Sequence, residues 1–379
     1  MFRTLSIEGF RGFKTLHLEG LGRVNLLVGA NNSGKTSVLE AVQFLAMGGD
    51  LTALMSALRR RFERSTAPSE EQPIAALDVR FLFHGRSLDG DPIRLKATTN
   101  DGRQSSYEVA APRVSLQDDV RLEQWKGSAA RIRRAVSRGG QLSLLQDDFE
   151  PGDRAPRLLE VSAGGEPIGR APLLQGSNLV DEEMVISGAR ATVPVQFVGT
   201  SSLTQQQLAR LLDRAVLADE EAGAIAALNT VEDGITKIAA VEQDSRGGRR
   251  IVVGLRDIAE TVPLGSLGDG MSRMLALALS LVAARDGYLL IDEIDTGLHH
   301  TVMRKMWRLV FEAAKRLNVC VYATTHSYDC VHALATIADP DVRGVGEVAL
   351  LRVDRGSAHA VHFSEREISL LGAREIEPR

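Results

Sequence analysis

Gly29-Ala30-Asn31-Asn32-Ser33-Gly34-Lys35-Thr36 fits the pattern GxxxxGK[ST] without a mismatch. At this spacing the glycines let the backbone wrap so that N–H groups converge on phosphate oxygens, and a following helix adds its positive end. Asn31, Asn32, Ser33 and Ser37 complete the expected phosphate-contacting set around Gly29 and Gly34. Lys35 supplies a point charge for the phosphates, and the Thr36 hydroxyl is a ligand for Mg²⁺. Far downstream, Tyr288-Leu289-Leu290-Ile291 is an apolar run ending in Asp292-Glu293. In a parallel sheet the strand ends share one edge with such a loop, so Asp292 is expected to hold Mg²⁺ through water and Glu293 to polarise an attacking water. A further apolar run, Val321-Tyr322-Ala323-Thr324-Thr325, leads to His326, expected beside Glu293 with a catalytic or sensing role. Lys35, Glu293 and His326 are thus the catalytic candidates, Thr36 and Asp292 the metal candidates, and ATP with Mg²⁺ the implied ligands. His299 and His300 superficially resemble a metal pair. Neighbours on a helix point to different faces, so they read as contact residues.

These side chains need strands and helices to hold them. Alternating apolar residues predict strands within 1–28, ending in the buried run Leu26-Leu27-Val28. A helix is expected from Lys35 to Met47, stopped by Gly48-Gly49. Residues 50–190 hold short β-like runs (Leu77 to Phe83, Ile93 to Ala97, Tyr107 to Val109) and read as a β-rich insertion. A buried strand near 193–200 precedes helical segments from Leu203 to Val216 and Ala222 to Ala239, the second interrupted at Asp233-Gly234. Beyond them helices are expected at 271–285, 301–316 and 328–338, and strands at 288–291, 319–323, 347–353 and 359–363. Alternating helix and strand with apolar strands predicts an α/β fold, a mostly parallel sheet with helices on its faces.

Composition narrows the class. The chain is 44% hydrophobic and 25% charged with net charge −4, which excludes a disordered or coiled-coil-dominated chain and leaves no global basic field. Cys320 and Cys330 cannot build a disulfide framework, which points to a reducing compartment. The apolar run from Met274 to Ala284, interrupted by Ser280, falls short of the roughly 18–20 residues of a membrane span. The N-terminus MFRTLSIEGF has no stretch suited to a signal peptide. A cytoplasmic location without a membrane partner is expected. The arginine-rich stretch 121–140 reads as a solvated helix face rather than a nucleic-acid contact.

IEGFRGF at the N-terminus, GANNSGKTS, SLGDGMSR, LLIDEIDTGLHH and ATTHS resemble, in this order, the motifs of ABC-type, SMC-like ATPase heads. The AAA-family ATPases of the OLD-like group and of prokaryotic anti-phage defence are the most similar. The resemblance covers about half of the chain, and residues 50–190 carry none of its motifs. It implies a P-loop NTPase fold, with residues 1–379 forming a single two-lobed head. Lobe I would span 1–250 with the insertion and helices 203–240, and lobe II 251–379. It implies a homodimer sandwiching two ATP molecules, with higher oligomers left open, in which Ser266, Gly268 and Gly270 of one chain meet the nucleotide of the other. The sequence departs from the LSGGQ signature: it reads Leu267-Gly268-Asp269-Gly270-Met271, without the phosphate-binding serine. Asp269 is therefore expected to cap the following helix, and Arg273 to supply positive charge in trans. By the same resemblance Arg11 meets the nucleotide and Gln196 senses Mg²⁺ between lobes.

The implied function is Mg²⁺-dependent ATP hydrolysis in a sensor or regulatory subunit of an anti-phage system that controls a separate effector, such as a nuclease. Nucleic-acid binding stays open. Two rivals are a RecF-like DNA-repair ATPase and an ATP-binding scaffold with little turnover. An ABC-transporter subunit is disfavoured by the missing serine. Asp339-Pro340-Asp341 mimics a nuclease DxD but reads as a loop.

Overall fold

Alternation of Leu5, Ile7 and Phe10 with less buried neighbours makes β1 (Phe2–Phe10) a one-sided strand, and β2 (Phe13–Leu18) returns antiparallel to it. The structure, a computed structural model, describes residues 1–64, 77–113, 157–173, 178–179, 186–187, 193–242, 248–338 and 347–374. β3 (Val24–Val28) is buried at every position. Its one polar residue, Asn25, is satisfied by Gly22 N–H (2.8 Å) and by the carbonyls of Gly22 (2.9 Å) and Val321 (3.1 Å), which removes the cost of burying an amide. The phosphate loop leads into α1 (Lys35–Ala46) as expected.

A second helix, α2 (Leu51–Arg60), was not anticipated. Asp50 caps it by accepting the Thr52 N–H at 2.8 Å, and Leu51, Leu54, Met55 and Leu58 bury one face. The strand expected from Leu77 to Phe83 is only β4 (Leu77–Asp78), because the Asp78 carboxylate accepts the Arg80 N–H and draws Val79–Leu82 into a 3₁₀ turn. β5 (Ile93–Thr99), β6 (Gln104–Ala110), β7 (Arg157–Ala163), β8 (Glu166–Leu173), β9 (Asn178–Leu179) and β10 (Ile186–Ser187) follow. A seven-stranded antiparallel sheet runs β10-β8-β7-β6-β5-β1-β2, so the insertion extends the N-terminal sheet.

β11 (Val195–Val198), α3 (Gln205–Leu217) and α4 (Glu221–Leu228) come next. The helix expected to reach Ala239 instead ends at Leu228. Asn229 donates to the Ile225 carbonyl and accepts the Ile235 N–H at 3.0 Å, Gly234 turns the chain at φ 96, and β12 (Ile235–Glu242) begins. β13 (Arg249–Leu255) and β14 (Thr261–Pro263) complete a three-stranded antiparallel sheet. The division expected at residue 250 falls inside β13. Leu208, Leu212 and Leu228 share a core with Ile238, Ile251 and Val253 and with Met271 and Leu275 downstream, so residues 205–242 pack with the helix that follows the three-stranded sheet.

The rest alternates as expected through α5 (Asp269–Ala283), β15 (Tyr288–Ile291), α6 (His300–Arg316), β16 (Cys320–Thr324), α7 (Tyr328–Ala335), β17 (Val348–Arg352) and β18 (Val361–Phe363), and ends in a helix that was not anticipated, α8 (Glu365–Arg374). The central sheet is ordered β11-β15-β16-β3-β17-β18, parallel except for β18. Its one face packs on the antiparallel sheet and α1, the other on α5, α6 and α7. Trp307 of α6 is wholly buried there, its indole N–H donating to the Cys330 carbonyl at 3.0 Å, and truncating such a side chain costs about 3–5 kcal/mol. β15, β16 and β3 are adjacent and parallel, so their C-terminal ends bring Asp292-Glu293, His326 and the phosphate loop to one edge.

Candidate active site

At the end of β3 the backbone turns through Gly29 (φ 137), Asn32 (φ 60) and Gly34 (φ 104). A Cβ on Gly29 would lie 2.3 Å from the Val353 carbonyl oxygen, and one on Gly34 2.3 Å from the Phe13 ring, so only glycine fits either place. Lys35 is buried and donates to the carbonyls of Gly29 (2.9 Å) and Ala30 (2.8 Å), with its Nζ 3.5 Å from His326 Nδ1. The Thr36 hydroxyl lies 3.0 Å from both oxygens of Asp292. Thr324, at the end of β16, donates to Asp292 Oδ1 (2.7 Å) and accepts the Glu293 N–H (2.8 Å).

Glu293 adopts φ 48, a left-handed conformation that costs a non-glycine residue on the order of 1–3 kcal/mol. Its Oε1 is 4.0 Å from His326 Nε2, and the Thr296 hydroxyl is 3.4 Å from its Oε2. Behind it, the Thr325 hydroxyl donates to Asp295 at 2.5 Å and accepts the Ser327 N–H. Lys35, Thr36, Asp292, Glu293 and His326, expected as a set, thus converge. The ties made by Thr324, Thr325 and Asp295 were not anticipated, although two adjacent hydroxyls closing a buried strand before a histidine were their signal.

These residues fit a magnesium nucleotide. Hard oxygen donors on Thr36 and Asp292 face each other, and the buried Ser33 hydroxyl has no hydrogen-bond partner among the described residues. Mg²⁺ held by Thr36 and Asp292 would neutralise charge on the β- and γ-phosphates. Lys35 provides fixed positive charge, Glu293 a carboxylate able to take a proton, and His326 a ring between the two.

The other expected residues make contacts within the chain. Arg11, at φ 53 in the β1–β2 turn, is held by the carboxylates of Glu40 and Glu63. Its Nε lies 2.5 Å from Glu40 and its Nη1 donates to both Glu63 oxygens at 2.8 and 2.9 Å, because the wholly buried Glu40 carboxylate needs cations around it. Arg61 completes that cluster by bidentate contact with Glu40, and also donates to the Ser37 hydroxyl. Ser37 thus also takes part in the packing of α1 on α2. Burial pushes the Glu63 carboxyl up against the pull of Arg11. Arg60 lies with its guanidinium 3.8 Å from the Phe197 ring centre, and burial pushes it down to about 10, with the Glu40 charge opposing.

In the signature segment Ser266 and Gly268 are exposed, and Gly270 packs close to the Gly297 carbonyl. Asp269 does not cap α5. It is the first residue of the helix, the cap is Gly268 at φ 93, and no side chain closes the N-terminus. Arg273, expected to act in trans, is turned into its own chain. It is 5% exposed and donates to the carbonyls of Gly199 (2.9 Å), Asp292 (3.1 Å) and Glu293 (2.7 Å) in its own chain. Gln196 sits inside β11, opposite Leu289. His299 is the extended N-cap of α6, so its ring lies 4.1 Å from that of His300 rather than on a different helix face. The 121–140 stretch and Asp339-Pro340-Asp341 lie outside the described residues.

A phosphate loop on a buried parallel strand, facing a Thr–Asp pair and an acid on the next strands, defines a P-loop ATPase of α/β fold. Residues 4–147 match a family described as "AAA domain", and residues 179–329 one described as "AAA domain, putative AbiEii toxin, Type IV TA system". An ATP/GTP phosphatase of Helicobacter pylori is 22% identical over 347 residues, 88% of this chain and 87% of its own. The DNA replication and repair protein RecF of Acinetobacter baumannii is 54% identical over 44 residues, 12% of each chain. Among solved structures, an SMC head bound to the C-terminal winged-helix domain of ScpA covers 99% of both chains at 15% identity and a TM-score of 0.45. The SMC head domain of Thermotoga maritima covers 96% of this chain and 98% of its own at 13% identity and a TM-score of 0.41.

Proposed function

We propose that this ATPase closes as a homodimer around two Mg²⁺-bound ATP molecules, and that the closed state controls a separate effector, such as a nuclease, in a cytoplasmic anti-phage system. The observation that carries the dimer is an unfinished site. Lys35, Thr36, Asp292, Glu293 and His326 converge on one sheet edge, while Gly268 opens the N-terminus of α5 with nothing within 4 Å of where its Cβ would stand. An open glycine turn at a helix N-terminus suits an anion brought by another chain. The match to a family described as a Type IV TA system supports a role in conflict systems that pair a regulator with an effector. The name of the Helicobacter pylori relative supports hydrolysis of ATP or GTP.

Glu293→Gln tests this reading. It keeps the shape of the acid and removes the base, so ATP binding is expected to persist while turnover falls about 100-fold or more. Sedimentation should then show a dimer with Mg²⁺ and ATP and a monomer with ADP. Undiminished turnover would move the base elsewhere, with His326 the first suspect; a monomer under ATP would end the dimer model. The short RecF matches favour a second reading, a DNA-repair ATPase, and tight binding to duplex or junction DNA at physiological salt would select it.

A further inference from the structure

The geometry points to Arg273 as a positioning residue that, within one chain, locks the backbone of Asp292-Glu293 and thereby ties the signature turn to the aim of the catalytic acid. This rests on the assignment of Glu293 as the base.

Glu293 needs such a lock. Its left-handed backbone is unfavourable for any residue with a Cβ and persists only where neighbours over-determine it. The lock has two jaws. On one side Thr324 Oγ1 accepts the Glu293 N–H at 2.8 Å, while the Thr324 carbonyl accepts the Ile294 N–H at 3.0 Å. On the other, Arg273 Nη2 donates to the Glu293 carbonyl at 2.7 Å and the Asp292 carbonyl at 3.1 Å, while Nη1 reaches the Gly199 carbonyl at 2.9 Å beyond the end of β11. A planar guanidinium with two separated terminal nitrogens holds both backbone segments in a fixed geometry, which a rotatable ammonium does less rigidly.

Arg273 lies one turn into α5, whose first residues are the signature turn itself. A Cβ on Gly270 would stand 3.3 Å from the Gly297 carbonyl, and one on Gly297 3.7 Å from Asp269 Cβ. The signature turn thus touches the segment just after Glu293 as well as reaching it through Arg273. A ligand that shifts the start of α5 must shift the acid's backbone with it. Engagement of the turn by a second chain is in this way reported to the base of the first. A buried cation without a carboxylate hydrogen-bonded to it, its Nε unpartnered among the described residues, is a costly way to brace a loop, which argues that the carbonyls it holds matter.

The test compares wild type, Arg273→Met, Arg273→Lys, Arg273→Ala and Glu293→Gln for ATP turnover, calorimetric ATP affinity and thermal melting. Arg273→Met should lower kcat about 10- to 100-fold with ATP affinity changed by no more than about twofold. Arg273→Lys should lose less, and added guanidinium ion should raise the kcat of Arg273→Ala but not of wild type. Equal mixing of Arg273→Met with Glu293→Gln separates this from a role in trans. A cis lock leaves both sites of a mixed dimer defective, whereas a trans finger would restore roughly a quarter of wild-type activity. Recovery on mixing, wild-type kcat in Arg273→Met, or loss of ATP affinity with kcat retained would each overturn the proposal. If Arg273→Met does not fold, Arg273→Lys and guanidinium rescue decide. Wild-type turnover in Glu293→Gln would instead remove the base assignment, whatever the arginine variants do.

Discussion

Lys35 is spent on the carbonyls of its own loop, and those contacts are what triphosphate oxygens would replace with stronger, charge-assisted ones. Lys35→Ala removes the fixed charge and is expected to abolish ATP binding; calorimetry showing wild-type affinity would discard the phosphate-loop assignment. Gly34 is a second sensitive position, for a different reason. Gly34→Ala places a methyl against the Phe13 ring and forces a Cβ at φ 104, so a loss of about 1–3 kcal/mol and a large drop in ATP affinity are expected. Phe13→Ala in the same chain should recover only the steric share, since the backbone strain stays. Full recovery of melting temperature in the double variant would show that the backbone tolerates alanine there.

Three helices are joined through one carboxylate. Glu220, just before α4, accepts from Arg285 at 2.5 Å, beyond the end of α5, and from Arg316 at 2.6 Å, at the end of α6. The Arg316 hydrogen bond, with Arg285, holds its carboxyl below the ordinary value of 4.5. A depressed carboxyl contributes stability above the unfolded-state pKa and loses it as pH falls through the folded one. Glu220→Gln is therefore expected to lower the melting temperature by about 2–4 °C at neutral pH, with the gap to wild type closing on acidification below the ordinary value. A gap that stays constant with pH would assign the effect to packing. The same scale explains α2: Leu51, Leu54, Met55 and Leu58 have helical spacing that the reading of 50–190 as a β-rich insertion passed over, and its role as the carrier of Arg60 and Arg61 beside α1 depends on where the helix docks.

At the scale of the molecule, Asp292 and Glu293 stand at the phosphate-loop edge of the sheet, and no group of three or more metal-binding side chains occurs among the described residues. No helix among them is long and apolar enough to cross a membrane. Metal-dependent nucleases need several carboxylates around one or two divalent ions. With Asp292 and Glu293 assigned to the nucleotide in the proposed reading, the chain by itself is expected not to cut nucleic acid. Incubation with plasmid, linear DNA and RNA, with Mg²⁺ or Mn²⁺ and with or without ATP, checks this. Cleavage that survives Lys35→Ala but disappears with Asp339→Ala or Asp341→Ala would place a nuclease in the chain itself.

Local chemistry was enough to read the phosphate loop, the strands ending in Asp292 and His326 and the alternating helices and strands around them, because each depends on spacing within a few residues. GxxxxGK[ST] is a backbone conformation written as residue types, and a buried strand shows as an uninterrupted apolar run. What Arg11, Ser37, Asp269 and Arg273 touch could not be read this way. A long charged side chain spans several ångströms in any direction, and its partner is set by which buried charge or carbonyl the fold leaves unsatisfied. Glu40 and the Asp292-Glu293 carbonyls became those partners only when α2 docked on α1 and α5 on the edge of the parallel sheet. The end of α4 was a local decision too, but a competing one: helical apolar spacing ran on past Leu228, and the side chain of Asn229, bonded forward to Ile235, settled the matter in favour of a strand that another strand was available to pair.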